Sequence, residues 1–327
     1  MRFYLAPLEG VTGFVYRNAF NKYVGGLDKY FMPFLSPKSF GYLSVREKEE
    51  LAPENNQGLN VIPQILTNDA RDFLETAKRL QERGYEEVNF NLGCPSKPVV
   101  NKGRGAGFLD NPEQLDKFLA KIFEQCDMDI SIKTRIGMES AKGFAGVLGI
   151  FNKYPVKELI IHPRVREDFY ANKPNWEVFK EALTDSRAPV CYNGDIFTKE
   201  DYNRLIGTFP QLSSVMLGRG LVSNPFLVEE ISKVMSVDGK DNATADIIDV
   251  PRFWDFHDDI LENYQRVIPS DLELTVLFKM KELWRYMIVK FGNSEKWQRK
   301  INEAKSIVEY KNIIARMKNF EKCYFGR

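Results

Sequence analysis

The chain has 327 residues, of which 43% are apolar and 28% charged, and its formal net charge at pH 7 is +1. This composition is ordinary for a soluble globular protein, and the length suffices for one large core with an additional domain. No apolar run approaches the roughly 20 residues that a membrane span needs. The N-terminal apolar stretch is too short for a signal peptide, because Glu9 interrupts it early. We therefore predict a cytoplasmic protein.

The cysteines and histidines do not favour metal chemistry. The four cysteines form no C-x-x-C pair and no zinc or iron–sulfur spacing: Cys94, Cys126, Cys191 and Cys323. Because no secretory signal precedes them, free thiols are the expected state. The only two histidines are His162 and His257, too few for a site built from several histidines. We predict no bound metal.

Eight short, apolar, β-rich runs follow one another along the chain. They are residues 3–7, 30–36, 60–66, 86–92, 129–134, 157–162, 188–193 and 213–218. Their C-terminal ends recur every 25 to 31 residues, with a single gap of 42 residues. A strand, a helix and two short loops need such an interval. The pattern predicts an α/β fold, a (β/α)8 TIM barrel, whereas a doubly wound sheet usually carries a first-turn glycine fingerprint that "APLEGVTG" lacks.

Helical spacing of apolar residues separates the runs, for example in "NDARDFLETAKRLQERG", which opens with plausible N-cap residues. The long gap contains "GCPSKPVVNKGRGAGFLDNP", which is typical of a mobile loop over an active site. A polar stretch, "SVDGKDNATAD", then precedes a helical C-terminal part. We predict a barrel over 1–236, a linker over 237–250 and an all-helical domain over 251–327.

Charge is unevenly distributed along the chain. Residues 279–327 hold 13 lysines and arginines against 5 acidic residues, while the remainder is net acidic. This asymmetry indicates a polyanionic partner for the C-terminal domain, with a solvated helical surface as the alternative. The candidate contacts are Lys279, Lys281, Arg285, Lys290, Arg299, Lys300, Lys305, Arg316 and Lys318. We expect most of the nearby aromatic residues, Trp284, Trp297 and Tyr286, to belong to the core.

In a barrel, catalytic groups lie where the strands end, because the βα loops meet there. Polar residues gather at these positions, including Lys133, His162, "NGD" at 193–195 and "LGRG" at 217–220. Taken singly, the lysine could be solvated, the histidine could belong to the core and the glycines could form plain turns. Glycines after the seventh and eighth strands also suit a backbone cradle for phosphate. Their order along the chain favours a functional site.

In this order, the motifs "LAPLEGVT", "NLGCPS", "IKTRIG", "IHPR", "NGD" and "LGRG" resemble those of the tRNA-dihydrouridine synthases. The resemblance covers residues 3 to about 235, and the basic helical tail is similar to that family's RNA-binding domain. It implies an FMN-dependent barrel that reduces the C5–C6 bond of specific uridines in tRNA to 5,6-dihydrouridine, with NADPH as electron donor. The expected protein is a monomer.

The resemblance also implies roles for individual residues. Flavin contacts would come from Pro7, Leu8, Glu9, Gln64, Lys133, His162, Asn193, Gly194, Asp195, Gly218 and Arg219. Uracil contacts would come from Asn91, Arg135 and Tyr170, and Cys94 would be the catalytic proton donor.

Cys94 suits this role chemically. Hydride must come from a cofactor, here flavin N5 to uracil C6, since no side chain donates it. A thiol, largely protonated at neutral pH, can then protonate C5. We expect Gly93 to let the backbone turn and Pro95 to fix the following residue, the alternative being a buried structural thiol.

Other functions share some of these features. Ribosomal RNA is an alternative substrate, because the basic tail reports only a polyanion. A small-molecule flavin enzyme resembling dihydroorotate dehydrogenase would share the FMN and the pyrimidine but would not need the basic tail. An RNA-binding protein without catalysis would not need Cys94, Lys133 and His162 together.

Overall fold

A computed structural model describes residues 1–37, 42–235 and 250–320 of the chain. Within these residues nine strand segments form one fully parallel sheet. They are β1 (Arg2–Leu5), β2 (Lys29–Phe31), β3 (Val61–Ile62), β4 (Gln64–Ile65), β5 (Glu87–Leu92), β6 (Asp129–Thr134), β7 (Leu159–Ile161), β8 (Val190–Asn193) and β9 (Ser214–Leu217). Each of the eight predicted runs overlaps this set.

The sheet closes into an eight-stranded barrel because β3 and β4 are two halves of one strand. Its order is β3-β2-β1-β9-β8-β7-β6-β5-β4, so the two halves stand at opposite ends of the series. Only Pro63 separates them, and proline has no N–H for a ladder bond. The carbonyl oxygen of Pro63 still accepts from Asn89 N at 2.8 Å, which continues the pairing with β5.

Helices alternate with the strands along the chain. The described helices are α1 (Phe14–Tyr23), α2 (Val45–Glu50), α3 (Ala70–Gln81), α4 (Lys97–Val100), α5 (Pro112–Gln125), α6 (Phe144–Phe151), α7 (Trp176–Asp185), α8 (Lys199–Thr208), α9 (Arg219–Ser223), α10 (Leu227–Met235), α11 (Val250–Val267), α12 (Glu273–Met287), α13 (Ser294–Glu303) and α14 (Ile307–Phe320). Asp69 and Asn111 cap α3 and α5, whose orphan N–H groups they satisfy as the sequence predicts. The predicted loop of the long gap contains α4 and a 3-10 helix, Gly105–Asp110.

The chain forms two compact units. The first contains residues 1–7, 28–195 and 206–217, and therefore all the strands. The second contains residues 8–27, 196–205 and the described residues from 218 onward, with helices α9 to α14. The predicted fold class, a TIM barrel with a helical C-terminal region, is confirmed. The predicted domain boundaries stay a prediction, since residues 237–249 of the proposed linker lie outside the described residues.

The barrel interior contains one cluster of mostly apolar side chains and one row of polar side chains. One buried cluster of mostly apolar side chains joins β1, β2, β3, β7, β8 and β9: Tyr4, Ala6, Phe31, Ile62, Ile160, Cys191 and Met216. On β5 the alternating residues Glu87, Asn89 and Asn91 share one side, and all three are buried. Burial of such polar groups is tolerated only where they are hydrogen-bonded, so their partners are important for the site. None of the helices in the described residues is long and apolar enough to cross a membrane.

Candidate active site

The turn that carries Cys94 is held by the side chain of Asn91. Its Oδ1 accepts from the backbone N–H groups of Gly93 at 3.0 Å and Cys94 at 2.9 Å. The carbonyl oxygen of Cys94 accepts from Ala106 N at 3.1 Å. Both backbone polar groups of Cys94 are therefore bonded, and the thiol is partly exposed. Asn91, predicted to contact uracil, has its carbonyl oxygen occupied by the turn and would contact a substrate through its remaining N–H.

Gly105, rather than Gly93, is the glycine on which this turn depends. A Cβ on Gly93 would lie 3.6 Å from the carbonyl oxygen of Lys133, an ordinary contact, and the φ of Gly93 is not positive. Gly105 has φ +57°, and a Cβ there would lie 2.8 Å from the carbonyl oxygen of Cys94. The expectation that Gly93 provides the turn is therefore wrong, because the close backbone approach occurs twelve residues later, at Gly105.

Gln64 is bonded to the same asparagine. The Nδ2 of Asn91 donates to Gln64 Oε1 at 2.6 Å, and Gln64 Nε2 donates to Asn89 Oδ1 at 2.7 Å. Gln64 is fully buried at the end of the strand formed by β3 and β4. Each end of its amide retains one further hydrogen-bonding position for a ligand.

Lys133 lies opposite Asn91 in the β5–β6 register. Its ammonium group has no hydrogen-bond or ion-pair partner among the described residues. The pKa of Lys133 is lowered to about 8, chiefly by burial and also by the neighbouring charge of Arg135, while the Cys191 and Cys94 thiols oppose this shift. A largely desolvated amine without a partner among the described residues is costly and is well suited to an anionic or hydrogen-bond-accepting ligand.

Arg135 joins the Cys94 turn to the loop after β7. Its Nε donates to Gly93 O at 3.1 Å, and its two terminal nitrogens donate to Val165 O at 2.8 Å and Phe169 O at 2.9 Å. The guanidinium also lies 5.6 Å from the ring centroid of Tyr170. Arg135, predicted to contact uracil, therefore uses three N–H groups on backbone carbonyls and orders both loops.

Tyr170 is 45% exposed, and its ring stacks on His162 with centroids 6.1 Å apart. His162 is buried, and its Nε2 lies 3.1 Å from an Arg164 nitrogen. Because a guanidinium can only donate, Nε2 must be the acceptor, and the proton of the neutral ring is on Nδ1. A ligand phosphate or hydroxyl would thus meet His162 as a donor through Nδ1 alone.

Asp195 forms a bidentate ion pair with Arg164. Its two oxygens accept at 3.0 and 2.5 Å, and Arg164 Nε donates to Asn172 O at 2.5 Å. Both carboxylate oxygens of Asp195, predicted to bind the flavin, are thus used to fix Arg164, which is itself 1% exposed. Arg164, which contacts both His162 and Asp195, has no role among the predicted site residues. Its signal is the "IHPR" motif, in which the resemblance assigns a role only to the histidine.

The other predicted residues at the end of β8 shape the backbone. Asn193 Nδ2 donates to Met216 O at 2.9 Å and so ties β8 to β9. A Cβ on Gly194 would lie 2.1 Å from the hydroxyl of Tyr192, so only glycine fits there. That hydroxyl in turn accepts from Trp176 Nε1 at 3.1 Å.

The remaining predicted cofactor residues are divided between the two units. Pro7 follows β1 and is partly exposed in the first unit. In the second unit, Leu8 N donates to Thr12 Oγ1 at 2.8 Å, and Glu9 is exposed. There, Gly218 and Arg219 begin α9, with the Arg219 guanidinium 5.4 Å from the Phe197 ring.

Some of the predicted basic contacts in the C-terminal helices have internal partners. Lys281 donates to the carbonyl oxygens of Asn302 and Ala304, and Lys318 pairs with Asp258. By contrast, Arg299, Lys305 and Arg316 are exposed, and their side chains have no ion-pair partner among the described residues. As expected, Trp284 and Trp297 are buried.

The chain is similar in sequence to known proteins of one family. The profile of the family described as dihydrouridine synthase (Dus) matches residues 4–322. The chain is 28% identical over 242 residues to a tRNA-dihydrouridine(16) synthase of Cupriavidus necator, covering 72% of this chain and 74% of that protein. It is 30% identical over 250 residues to the enzyme of the same name from Pseudomonas putida, covering 74% and 76%.

A structural likeness supports the fold. A solved structure of morphinone reductase in complex with tetrahydroNAD superimposes with a TM-score of 0.50 at 11% identity, covering 72% of this chain and 88% of that one. The family match extends over nearly the whole chain, and it includes every motif on which the resemblance was based. The predicted enzyme class is confirmed with it, and the chain belongs to the dihydrouridine synthase family.

Proposed function

We propose that this protein reduces the C5–C6 bond of specific uridines in tRNA to dihydrouridine, with bound FMN as cofactor and NADPH as electron donor. The family match and the names of the tRNA-modifying relatives support the reaction and the substrate class. The observation that carries the proposal is the arrangement of the most specific motif. Asn91 holds the Cys94 turn, and Lys133 is its neighbour in the sheet register.

Lys133 offers a test of whether the barrel fits a flavin. Its partly buried amine has a pKa lowered to about 8 and no partner among the described residues, so it suits an acceptor or an anion. The polar edge of an isoalloxazine ring is such a group, and its reduced form can be anionic. Gln64 would hold the same edge through the amide positions left by Asn89 and Asn91. These residues therefore fit the cofactor.

When bound, reduced FMN supplies the hydride that reaches C6 of the uracil. The chain must supply the proton for C5, and Cys94 is the candidate. Its thiol is partly exposed, while both backbone groups of the residue are bonded. A thiol is mostly protonated at neutral pH, so that it can act as a general acid. Arg135 would keep the turn in place through Gly93 O.

The other predicted residues have assigned places in this proposal. His162 would donate to the cofactor through Nδ1–H, with Arg164 and Asp195 holding its orientation. The resemblance assigns Pro7, Leu8, Glu9, Asn193, Gly194, Gly218 and Arg219 to the cofactor and Tyr170 to uracil. The resemblance implies the use of NADPH and the monomeric state, and the cytoplasmic location rests on the sequence.

The first experiment is to incubate the purified holoprotein with NADPH and unmodified RNA, with tRNA and ribosomal RNA in separate reactions. Dihydrouridine is then measured by mass spectrometry of the nucleosides. We expect product from tRNA. Product from ribosomal RNA alone would contradict the substrate class, and reduction of free orotate without either RNA product would favour the small-molecule alternative.

The second experiment tests the proton donor. Cys94→Ala should retain its flavin and its NADPH oxidation but lose at least about 100-fold in uridine reduction, the lower range for loss of a general acid. Cys126→Ala is the matched control, because Cys126 ends α5 and is also partly exposed. Equal product from the two variants would show that another group or water donates the proton.

A further inference from the structure

A single line of hydrogen bonds runs through the barrel from the Cys94 turn to the ion pair between Glu87, the first residue of β5, and Lys29. Cys94 N donates to Asn91 at 2.9 Å, Asn91 to Gln64 at 2.6 Å, Gln64 to Asn89 at 2.7 Å, Asn89 to Ser131 Oγ at 3.0 Å and Ser131 to Glu87 Oε1 at 2.8 Å. Glu87 Oε2 accepts from Lys29 Nζ at 2.6 Å. The connecting side chains Asn91, Gln64, Asn89 and Ser131 are all buried.

The direction of this line is determined at both ends. The backbone N–H groups of Gly93 and Cys94 can only donate, so Asn91 must present Oδ1 to them and Nδ2 to Gln64. At the other end, an ionised Glu87 can only accept, so the Ser131 hydroxyl must donate to it and accept from Asn89. Starting from either end, every amide in between has the same orientation. The two ends therefore agree, and the line has no mismatched pair.

Glu87 is one of two buried carboxylates near this ion pair. Glu158 lies 3.8 Å from the same Lys29 Nζ and is also buried. Its Oε1 accepts from Arg2, Tyr4 and Ser214 at 3.3, 3.1 and 2.9 Å. Glu158 therefore shares the cation and the burial of Glu87 but is not bonded to any residue of the line.

We propose that Glu87 is a positioning residue for the reaction: its negative charge sets the orientation of the Gln64 and Asn91 amides and thereby the position of Cys94. The expected change in kcat rests on the proposed function, whereas the expected change in the Cys94 turn does not. Hydrogen bonds in such a buried line polarise one another, so that a change at one end alters the hydrogen bonds at the other end.

Glu87→Gln makes the consequence specific. The new amide keeps the shape of the acid, and its oxygen is drawn to the Lys29 ammonium, which leaves its NH₂ facing Ser131. The Ser131 hydroxyl proton then keeps a partner within the line only if Ser131 accepts from Gln and donates to Asn89, and in that arrangement each following amide rotates. Asn91 would finally present Nδ2 to the N–H groups of Gly93 and Cys94. Two donors would face each other, and the turn would lose its hydrogen bonds.

The test compares Glu87→Gln with Glu158→Gln as the matched control, using the full-length holoprotein. The first readout is the rate at which iodoacetamide alkylates Cys94, followed by peptide mass spectrometry, which resolves this thiol from the others. The second is kcat and KM for uridine reduction in tRNA. We expect Glu87→Gln to change the alkylation rate at least threefold and to lower kcat per bound flavin about tenfold. Glu158→Gln should leave both readouts within twofold.

Ser131→Ala provides the decisive second variant. It removes one link and no charge, and the amides above it still take their direction from the backbone N–H groups. Alone it should change both readouts by less than twofold. Combined with Glu87→Gln, it should restore Cys94 alkylation and kcat to within twofold of the Ser131→Ala values. Without the Ser131 hydroxyl, the new Gln has no hydrogen bond through which to reorient Asn89. A purely structural role predicts instead that the double variant is worse than either single one.

Three results would overturn the proposal. Equal effects of the two glutamate variants would indicate general damage from altered burial of charge. An unchanged alkylation rate in Glu87→Gln, or a double variant without recovery, would show that the orientation is not transmitted. If the unmodified protein makes no dihydrouridine at all, the proposed function fails, while the alkylation measurements still decide whether Glu87 controls the turn.

Discussion

At the scale of single residues, the site contains charged groups whose desolvation costs free energy. That cost is offset either by a neighbouring residue or by a bound ligand. Lys133 is the clearest case, because its amine is partly buried, its pKa is lowered to about 8, and it has no partner among the described residues. Asp195 and Arg164 are the opposite case, since each satisfies the other. Within the barrel, a charged group without a partner is therefore a candidate for ligand binding, whereas a paired charged group stabilises the surrounding structure.

We predict that Lys133→Met stabilises the flavin-free protein at neutral pH. The folded pKa, about 8, lies below the unfolded value of roughly 10.4, so burial of the charge costs stability at every pH below 8. The unfolded state binds more protons between these values, and the penalty is therefore relieved as pH rises through this window. The advantage of the variant should fall by about 3 kcal/mol from pH 7 to pH 10.5 in urea unfolding. An advantage independent of pH would show that the amine is solvated and titrates as it does in the unfolded chain; Lys117→Met, on an exposed face, is the control.

We predict that Gly105→Ala is more harmful than Gly93→Ala, although Gly93 belongs to the family motif. The positive φ of Gly105 and the short distance to Cys94 O predict a loss of about 1–3 kcal/mol in urea unfolding. At Gly93 the added methyl group meets only ordinary contacts, so we expect a change within about 0.5 kcal/mol. Equal losses would mean that the loop relaxes around either methyl group.

At the scale of elements, α11, α12 and α14 are joined by one hydroxyl group. Tyr310 OH accepts from Trp284 Nε1 at 2.7 Å and donates to His257 Nε2 at 2.6 Å. His257 must then carry its proton on Nδ1, which lies 2.8 Å from Asp258. Three helices thus depend on a histidine that remains neutral.

We predict that this helical unit loses stability in mild acid. Burial lowers the pKa of His257, so below the ordinary value of roughly 6.5 the unfolded chain takes up a proton that the folded chain refuses. The contribution is present above that pH and is lost as pH falls through it. His257→Gln should flatten the decline in Tm below pH 6.5, with His162→Gln as the comparison. An unchanged slope would assign the acid sensitivity to other groups.

The strands could be predicted from the sequence, whereas their contacts could not. A strand buried in a barrel needs a short apolar run, and the βα repeat imposes an interval, so the residues 86–92 and 129–134 sufficed to predict β5 and β6. The partners of a polar residue depend on register, which no periodicity reveals. That Asn89 meets Ser131, or that Arg164 meets Asp195, follows only once the strands are aligned.

At the scale of the whole molecule, the second unit combines segments that are far apart in sequence. Helix α1 packs on α11, with the Tyr16 and Phe20 rings 5.6 and 6.3 Å from the Phe256 ring. Lys22 also pairs with Asp259 at 2.5 Å. Removal of residues 251–327 would therefore uncover apolar rings of α1, and loss of activity in such a truncation would not report RNA binding. Surface charge must be tested without removing helices.

We predict that replacing Arg299, Lys305 and Arg316 together by Glu weakens binding of tRNA and leaves NADPH oxidation unchanged. These exposed cations have no ion-pair partners among the described residues, so their charge is available to phosphates. For each phosphate that the variant no longer neutralises, the slope of log Kd against log salt should fall by roughly 0.7–0.9. The control carries the same charge change on barrel helices, at Lys78, Lys121 and Lys180, which are also exposed. If both triple variants lose affinity and slope equally, net charge alone attracts the RNA. If neither does, the basic tail is a solvated surface and tRNA is held elsewhere.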